Sequence, residues 1–379
     1  MANEFLRAAA EDIDELLLLY RQVYGRDYAL PLGTDPEVMG REIASPSSTW
    51  LVARDDRGRL VGSILGTVDQ VARVGKLQGL VIHPEARGGG LANLAVRQLS
   101  DAMLADSQET DSVYATARTN ATAPQRTCLR AGFHALGIFP NLRKAAKHET
   151  MVLLARHRPG VLDKRIPVER VPQALGGLIE ALRRTLGPHQ LPEISDEPLP
   201  LSGTARRGAR SELEMIDAPS FVARRYARQL ADPEDGFYPF HTPNVLLSRV
   251  DGSAEVYAQL SPSDGYCTLI GASPGLAEAD LEAITERLAA GGAGYIETLL
   301  PLDAYHELSR LLAAGFLPVA AYPAMRREEA GYRDYVVMAR TLQPLDFRGL
   351  AIDAAFQPFT EQYIELWTNQ HLNTYGIFQ

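Results

Sequence analysis

The sequence predicts an α/β (α+β) protein made of two tandem units, each a mixed, mostly antiparallel sheet flanked by helices. Three observations lead there. Stretches with helical spacing of apolar residues alternate with short apolar or alternating runs that read as strands. One strand runs through a glycine-rich loop directly into a helix. The second half of the chain also repeats spacings found in the first.

In the first half, apolar positions Ile13, Leu16, Leu17, Tyr20 and Val23 predict a helix over 11–24. Residues 50–53 and 60–68 read as strands about a turn at 55–59, so a hairpin is expected. Residues 76–82 form the next strand. A helix follows over 91–104, with Leu91, Leu94, Ala95, Leu99 and Met103 in helical register. Then come a strand at 112–116, a helix at 124–131 stopped by Gly132, and a strand at 150–155.

The second half echoes this order. Asn120 lies 12 residues before Gly132 and Phe133, and Asp303 lies 12 before Gly315 and Phe316. Pro140 follows Gly132 by 8 residues, as Pro323 follows Gly315. Residues 151–156 match 335–340, and 246–260 echo the first hairpin. A helix-like stretch at 172–186 echoes the first helix. The expected boundaries are 1–158, 159–347 and a tail at 348–379 with a helix over 361–370. Residues 187–220, rich in Pro, Gly, Ser and charge, read as a loop or linker.

Composition limits what such a protein does. Of 379 residues, 46% are apolar and 22% charged, which suits a globular protein with a sizeable core. The net charge is −9, and it is uneven: residues 1–158 hold 19 basic and 18 acidic residues, residues 159–379 hold 19 and 29. No basic stripe marks a nucleic-acid partner. An acidic face would attract a cationic amine, though it also serves solubility. Cys128 and Cys267 are too few for a disulfide framework, and no apolar run is long enough for a signal core or membrane span. A cytoplasmic protein without a membrane partner is expected. The eight histidines are scattered and suggest no metal site.

The most informative stretch is 78–92. The apolar strand end Leu80, Val81, Ile82 meets His83 and Pro84. Then come Arg87, Gly88, Gly89, Gly90, Leu91 and Ala92. A glycine run opening a helix points unpaired N–H groups into one concavity, where the helix dipole favours an anion. Arg87 would close it with a charge-assisted contact. This arrangement resembles the pyrophosphate loop of the GNAT N-acetyltransferases, which has the form Arg/Gln-x-x-Gly-x-Gly/Ala. The order of elements in 1–158 is also that of a GNAT domain. The resemblance is strong over 1–158 and weak over 235–347, so the layout is similar to tandem GNAT proteins.

The resemblance implies acetyl-CoA as co-substrate, held by Arg87 to Ala92 and by backbone groups of Leu80, Val81 and Ile82, where the strand splays from its neighbour. It implies direct attack of an amine on the thioester, with a small-molecule amine as acceptor. Asn120, before the helix that precedes Gly132 and Phe133, would contact the cofactor arm or cap a turn. The family's Tyr four residues before the Gly-Phe is Cys128 here, and a thiol can donate a proton to the leaving thiolate. The family's Glu base is also missing: Lys76 and Gln78 occupy that region, and Gln78 could order a water that relays the proton. His83 reads as structural. Tyr20, Tyr24 and Tyr28 precede the hairpin, where the acceptor pocket is built, and helical spacing makes at least one of them core.

In the second copy the arginine and glycine run are gone, and Glu278, Asp280 and Glu282 occupy the first turns of the matching helix. Carboxylates there repel a pyrophosphate, so only the first copy is expected to bind acyl-CoA. The second would be a wall of the amine pocket, a sheet partner or the surface of a homodimer. The tail from Trp367 would fold on the acceptor pocket or cover the second sheet. Rival readings are a non-catalytic acyl-CoA-binding or sensor protein and an N-acyltransferase using a longer acyl donor.

Overall fold

The computed structural model describes residues 4–25, 31–105, 110–144, 148–187, 191–196, 212–229, 236–272 and 278–371. Tyr28, the loop before Glu278 and the end of the tail lie outside them, as do 188–190 and 197–211 of the expected linker. The chain divides into two units. The first comprises Met1–Ala117, Thr122–His134 and Leu154–Val161, and the second Arg118–Ala121, Ala135–Leu153 and Leu162–Gln379.

The first unit begins with β1 (Leu6–Arg7), α1 (Ile13–Tyr24) and α2 (Pro36–Ala44). Asp35 caps α2 by accepting from the N–H groups of Glu37 and Val38, and Pro36 sets its first turn. The meander β2 (Ser48–Arg54), β3 (Leu60–Asp69) and β4 (Val74–Ile82) follows, then α3 (Leu91–Met103), β5 (Ser112–Arg118) and α4 (Ala123–Arg130). The strand order is β1-β2-β3-β4-β5, antiparallel until the parallel β4–β5 pair. Leu16, Leu19 and Tyr20 of α1 and Met39 of α2 pack with Trp50, Leu65 and Val81 in one core. Trp50 is fully buried and its indole N–H finds the Ser63 hydroxyl at 2.8 Å, which removes the cost of an unmet donor. Burying these large side chains stabilises the unit by roughly 1.5–3 kcal/mol apiece before entropy is counted.

Strands β6 (His134–Lys144) and β7 (His148–His157) come next in sequence, and residues 135–153 of this hairpin belong to the second unit. That unit continues with β8 (Arg170–Val171), α5 (Gly176–Leu186), β9 (Glu193–Ile194), β10 (Leu213–Asp217) and α6 (Pro219–Gln229). Then follow β11 (Val245–Arg249), β12 (Glu255–Ser261), β13 (Tyr266–Ala272), α7 (Glu278–Ala290), β14 (Tyr295–Pro301), α8 (Tyr305–Ala313), β15 (Leu317–Glu328), β16 (Gly331–Thr341) and α9 (Gln357–His371). Its strand order is β7-β6-β15-β16-β14-β13-β12-β11-β10. At the β6–β15 junction Gly137 faces Ala320, and a Cβ on Gly137 would lie 2.3 Å from that of Ala320, so only glycine permits the approach.

The element sequence β2-β3-β4-α3-β5-α4-β6-β7 recurs as β11-β12-β13-α7-β14-α8-β15-β16. Fold class and repeated order therefore agree with the expectation, and several details do not. Helix α2, strand β6 and helix α6 are additions, and β9, β10 and the start of α6 fall inside the stretch read as a linker. Helix α9 packs against α5 and β15. Among the described residues no helix is long and apolar enough to cross a membrane.

Candidate functional site

The site is built where β4 ends. Its parallel pairing with β5 runs from Val74↔Ser112 to Leu77↔Ala115 and stops, although β4 continues to Ile82. On the side away from β3, residues 78–82 therefore have no strand neighbour in the register. On the β3 side the register slips between Ser63 and Leu65: Gln78 faces Leu65 and Val81 faces Ser63, so Gly79 and Leu80 lie opposite Ile64 alone. This is a β-bulge, a device that re-aims backbone groups. Gly79 adopts φ +63°, and its carbonyl accepts from the buried Tyr20 hydroxyl at 3.0 Å. A Cβ there would come within 2.5 Å of that oxygen, so the bulge needs glycine twice over.

After Ile82 the chain turns. The His83 ring nitrogen Nδ1 accepts from the Glu85 N–H at 3.3 Å, a capping role that agrees with its structural reading. Arg87 is exposed, and its Nε donates to the Ile82 carbonyl at 3.2 Å, which ties the guanidinium to the strand end. Gly88 and Gly90 take φ +86° and +79°, and Gly90 caps α3 in the left-handed region. No side chain caps α3 and no acidic residue stands in its first turn, so its N–H groups and dipole are not neutralised from within. Any Cβ built on Gly88, Gly89 or Gly90 would meet no atom within 4 Å. Leu91 is buried and anchors the helix, while Ala92 is half-buried.

Residues 12–133 match a family model described as the acetyltransferase (GNAT) family. Over that stretch the chain is similar to the GNAT acetyltransferases. No curated protein matches the chain. Solved structures similar to part of it include a phosphinothricin acetyltransferase of the GNAT superfamily from Sinorhizobium meliloti in complex with AcCoA. It is 18% identical with a TM-score of 0.37, over 42% of this chain and 89% of that one. Spermidine N-acetyltransferase from Vibrio cholerae in complex with CoA and spermine is 13% identical with a TM-score of 0.36, over 41% and 95%. An acetyltransferase of the GNAT family from Streptococcus pneumoniae is 19% identical with a TM-score of 0.36, over 41% and 98%.

Within the matched stretch the structure brings Gln78, Leu80, Val81, Ile82 and the 87–92 loop onto one strand–loop–helix segment. Val81 is buried; Gln78, Leu80 and Ile82 are half-buried. Paired residues share a face of the sheet, so Gln78 opposite Leu65 and Lys76 opposite Thr67 face the α1–α2 side, where Leu65 packs on α1. Burial pulls the Lys76 ammonium below its usual pKa, because desolvation disfavours its charged form. Tyr114 of β5 is its register partner.

Tyr20 is the core tyrosine of the pair on α1. Tyr24 is 41% exposed, with its ring 6.2 Å from that of Tyr20. Asn120 stands exposed in the turn between β5 and α4, and Thr122 occupies the cap position of α4. Cys128 is 6% exposed inside α4, and burial pushes its thiol up to about 12. Such a thiol keeps its proton at neutral pH and is a weak acid. Among the described residues no cluster of His, Cys, Asp and Glu could hold a metal ion.

Proposed function

We propose that this acetyltransferase moves an acetyl group from acetyl-CoA to the primary amine of a small molecule. The observation that carries the reading is the open, uncapped, glycine-lined start of α3 directly after a bulged strand that has parted from its neighbour. Such a helix end fits a pyrophosphate, and residues 87–92 would hold it. The co-substrate supplies an activated thioester. The chain's own part is to place and polarise it. Backbone groups of Leu80, Val81 and Ile82, re-aimed by the bulge, suit a developing oxyanion.

The acceptor nitrogen must be neutral to attack. It bonds to the thioester carbonyl carbon, the C–S bond breaks, one amine proton leaves to a base and the CoA thiolate takes up a proton. Lys76 and Gln78 lie on the face where the base belongs. A lysine with a lowered pKa is neutral more often and accepts a proton at lower pH than an exposed one. Gln78 orders the relaying water in this reading. Cys128, pushed up to about 12 by burial, is too weak an acid to serve the leaving group efficiently, and Asn120 contacts the cofactor arm.

The test is release of CoA thiol from acetyl-CoA in the presence of a panel holding a polyamine, an amino acid, an arylalkylamine and an amino sugar, with hexanoyl-CoA as a competing donor. Acceptor-dependent thiol release supports transfer. Tight CoA binding with no release for any amine would leave a binding protein, and preference for the longer donor would change the acyl group.

A further inference from the structure

The second unit holds a cavity of its own. Strands β13 and β14 run parallel from Tyr266↔Tyr295 to Leu269↔Thr298 and then part. A pocket of about 210 Å³ lies in the gap, between residues 269–272 of one strand and 298–301 of the other. Leu281 and Ile284 of α7, Leu311 of α8 and the ring of Phe237 complete its walls.

The lining states what it can take. It is mostly carbon, and its charged side chains, Glu307 and Arg310, have opposite signs and sit three residues apart on α8. The Thr298 hydroxyl is already engaged, donating to the Leu269 carbonyl at 3.1 Å. Among the described residues, none of the buried polar atoms that lack a hydrogen-bond partner belongs to the lining. The side chains of the lining therefore ask a ligand for no polar group.

The helix that follows β13 also opens with acidic residues that disfavour phosphate. Asp280, in the first turn of α7, is fully buried and paired with Arg249 at 2.5 Å, and Glu282 pairs with Arg340 at 2.6 Å. Acidic residues so early in a helix oppose an anion at its start. An apolar cavity of about 150 Å³ holds a benzene-sized guest, so this one suits a linear chain of roughly six to ten carbons.

We propose that the β13–β14 cleft of the second unit binds a medium-length, unphosphorylated aliphatic chain, making the second half a ligand-binding module in its own right. The experiment titrates full-length protein with 1-octanol, octyl phosphate and CoA by calorimetry. Octanol is expected to bind and octyl phosphate to bind more weakly. Ala272→Phe, at the exposed rim, and Ile284→Trp, in the wall, should each weaken octanol by about tenfold and leave CoA unchanged. Gly89→Asp in the first unit should do the reverse. The rim variant keeps the test valid where the wall variant does not fold. No octanol binding, octanol binding indifferent to both pocket variants, or tighter binding of octyl phosphate would each overturn the proposal. Loss of CoA binding alone would overturn the reading of the first unit and leave this one standing.

Discussion

The β4–β5 cleft of the first unit and the β13–β14 cleft of the second are made alike. Each parallel pair has four registered residues and then parts. The third pair is Lys76↔Tyr114 in one and Thr268↔Glu297 in the other. The helix after the first cleft starts on glycines with no acidic residue in its opening turn. The helix after the second carries Asp280, held by Arg249, and Glu282, held by Arg340. On the two proposals made for these clefts, the parting of the strands makes room for a guest and the charge at the helix start sets what charge that guest can carry. At the third register position the second unit also builds a different kind of centre. The Glu297 carboxylate accepts from Tyr238 at 2.5 Å and Tyr266 at 2.6 Å, and burial pushes its pKa up against the pull of those hydrogen bonds. That carboxylate is locked into the fold, whereas Lys76 is half-buried beside the bulge.

The largest effect is expected where the second helix start is deprived of its counter-ion. Arg249→Ala leaves the Asp280 carboxylate buried and uncompensated, a loss of about 3–5 kcal/mol in unfolding free energy. Denaturant unfolding of Arg249→Ala and of Arg249→Ala with Asp280→Asn measures it. The double variant should recover much of the loss. Equal losses in both would mean that the pair does not set the state of that helix end.

Next comes Lys76→Thr, which gives the first cleft the residue of the second. If neutral Lys76 takes the proton, kcat falls by about 10²–10³-fold and KM for the acceptor moves little. The sign with pH follows from the lowered pKa: the neutral base grows as pH rises, so wild-type kcat/KM should climb through a value below that of an ordinary lysine. The variant should lose that limb. An unchanged pH profile would remove Lys76 from the proton route.

Gly89→Asp places a carboxylate on the first helix start, as the second has. A Cβ there meets nothing within 4 Å and Gly89 does not require a left-handed backbone, so the charge acts without a clash. CoA affinity should fall by about thirtyfold, near the ~2 kcal/mol upper range for a charge at a helix end, with the loss shrinking in high salt. Gly89→Ala is the neutral control and should bind as wild type. If both variants weaken CoA equally, the loop works by shape and not by field.

Much of this contrast was legible because it is local. Arg87 through Ala92 are consecutive, and the acidic residues that replace them, Glu278, Asp280 and Glu282, alternate within five positions. The repeat was legible as spacing about Gly132 and Gly315. Helix α2 was not, although Asp35 and Pro36 are helix-start signals, because only Met39 of its nine residues is buried and no apolar stripe marks it. Strand β6 was hidden by Gly137 and Pro140, which read as breaks. The bulge at Gly79 depends on a hydroxyl 59 residues away on α1, and the Arg249–Asp280 pair joins residues 31 apart. The apolar cavity exists only after two strands have paired and then diverged. Such features live in tertiary contacts and leave no pattern along the chain.

Cys128 sharpens the comparison at its finest grain. Cys267, on β13 of the second unit, is fully buried, and desolvation raises its pKa with Glu297 adding to the rise. Cys128 on α4 of the first unit is raised to about 12 by burial alone. Neither has the cationic neighbour or low pKa that marks a reactive thiol, so both behave as small buried hydrophobes. Proton delivery to a departing thiolate is efficient when donor and acceptor acidities match the working pH, and a thiol pushed to about 12 lies far above it. Cys128→Ala should therefore cost about 1 kcal/mol of stability through lost packing and leave kcat within about twofold. A fall of a hundredfold in kcat with KM and melting temperature unchanged would show that the thiol meets the leaving group, and that Cys128, unlike Cys267, belongs to the chemistry.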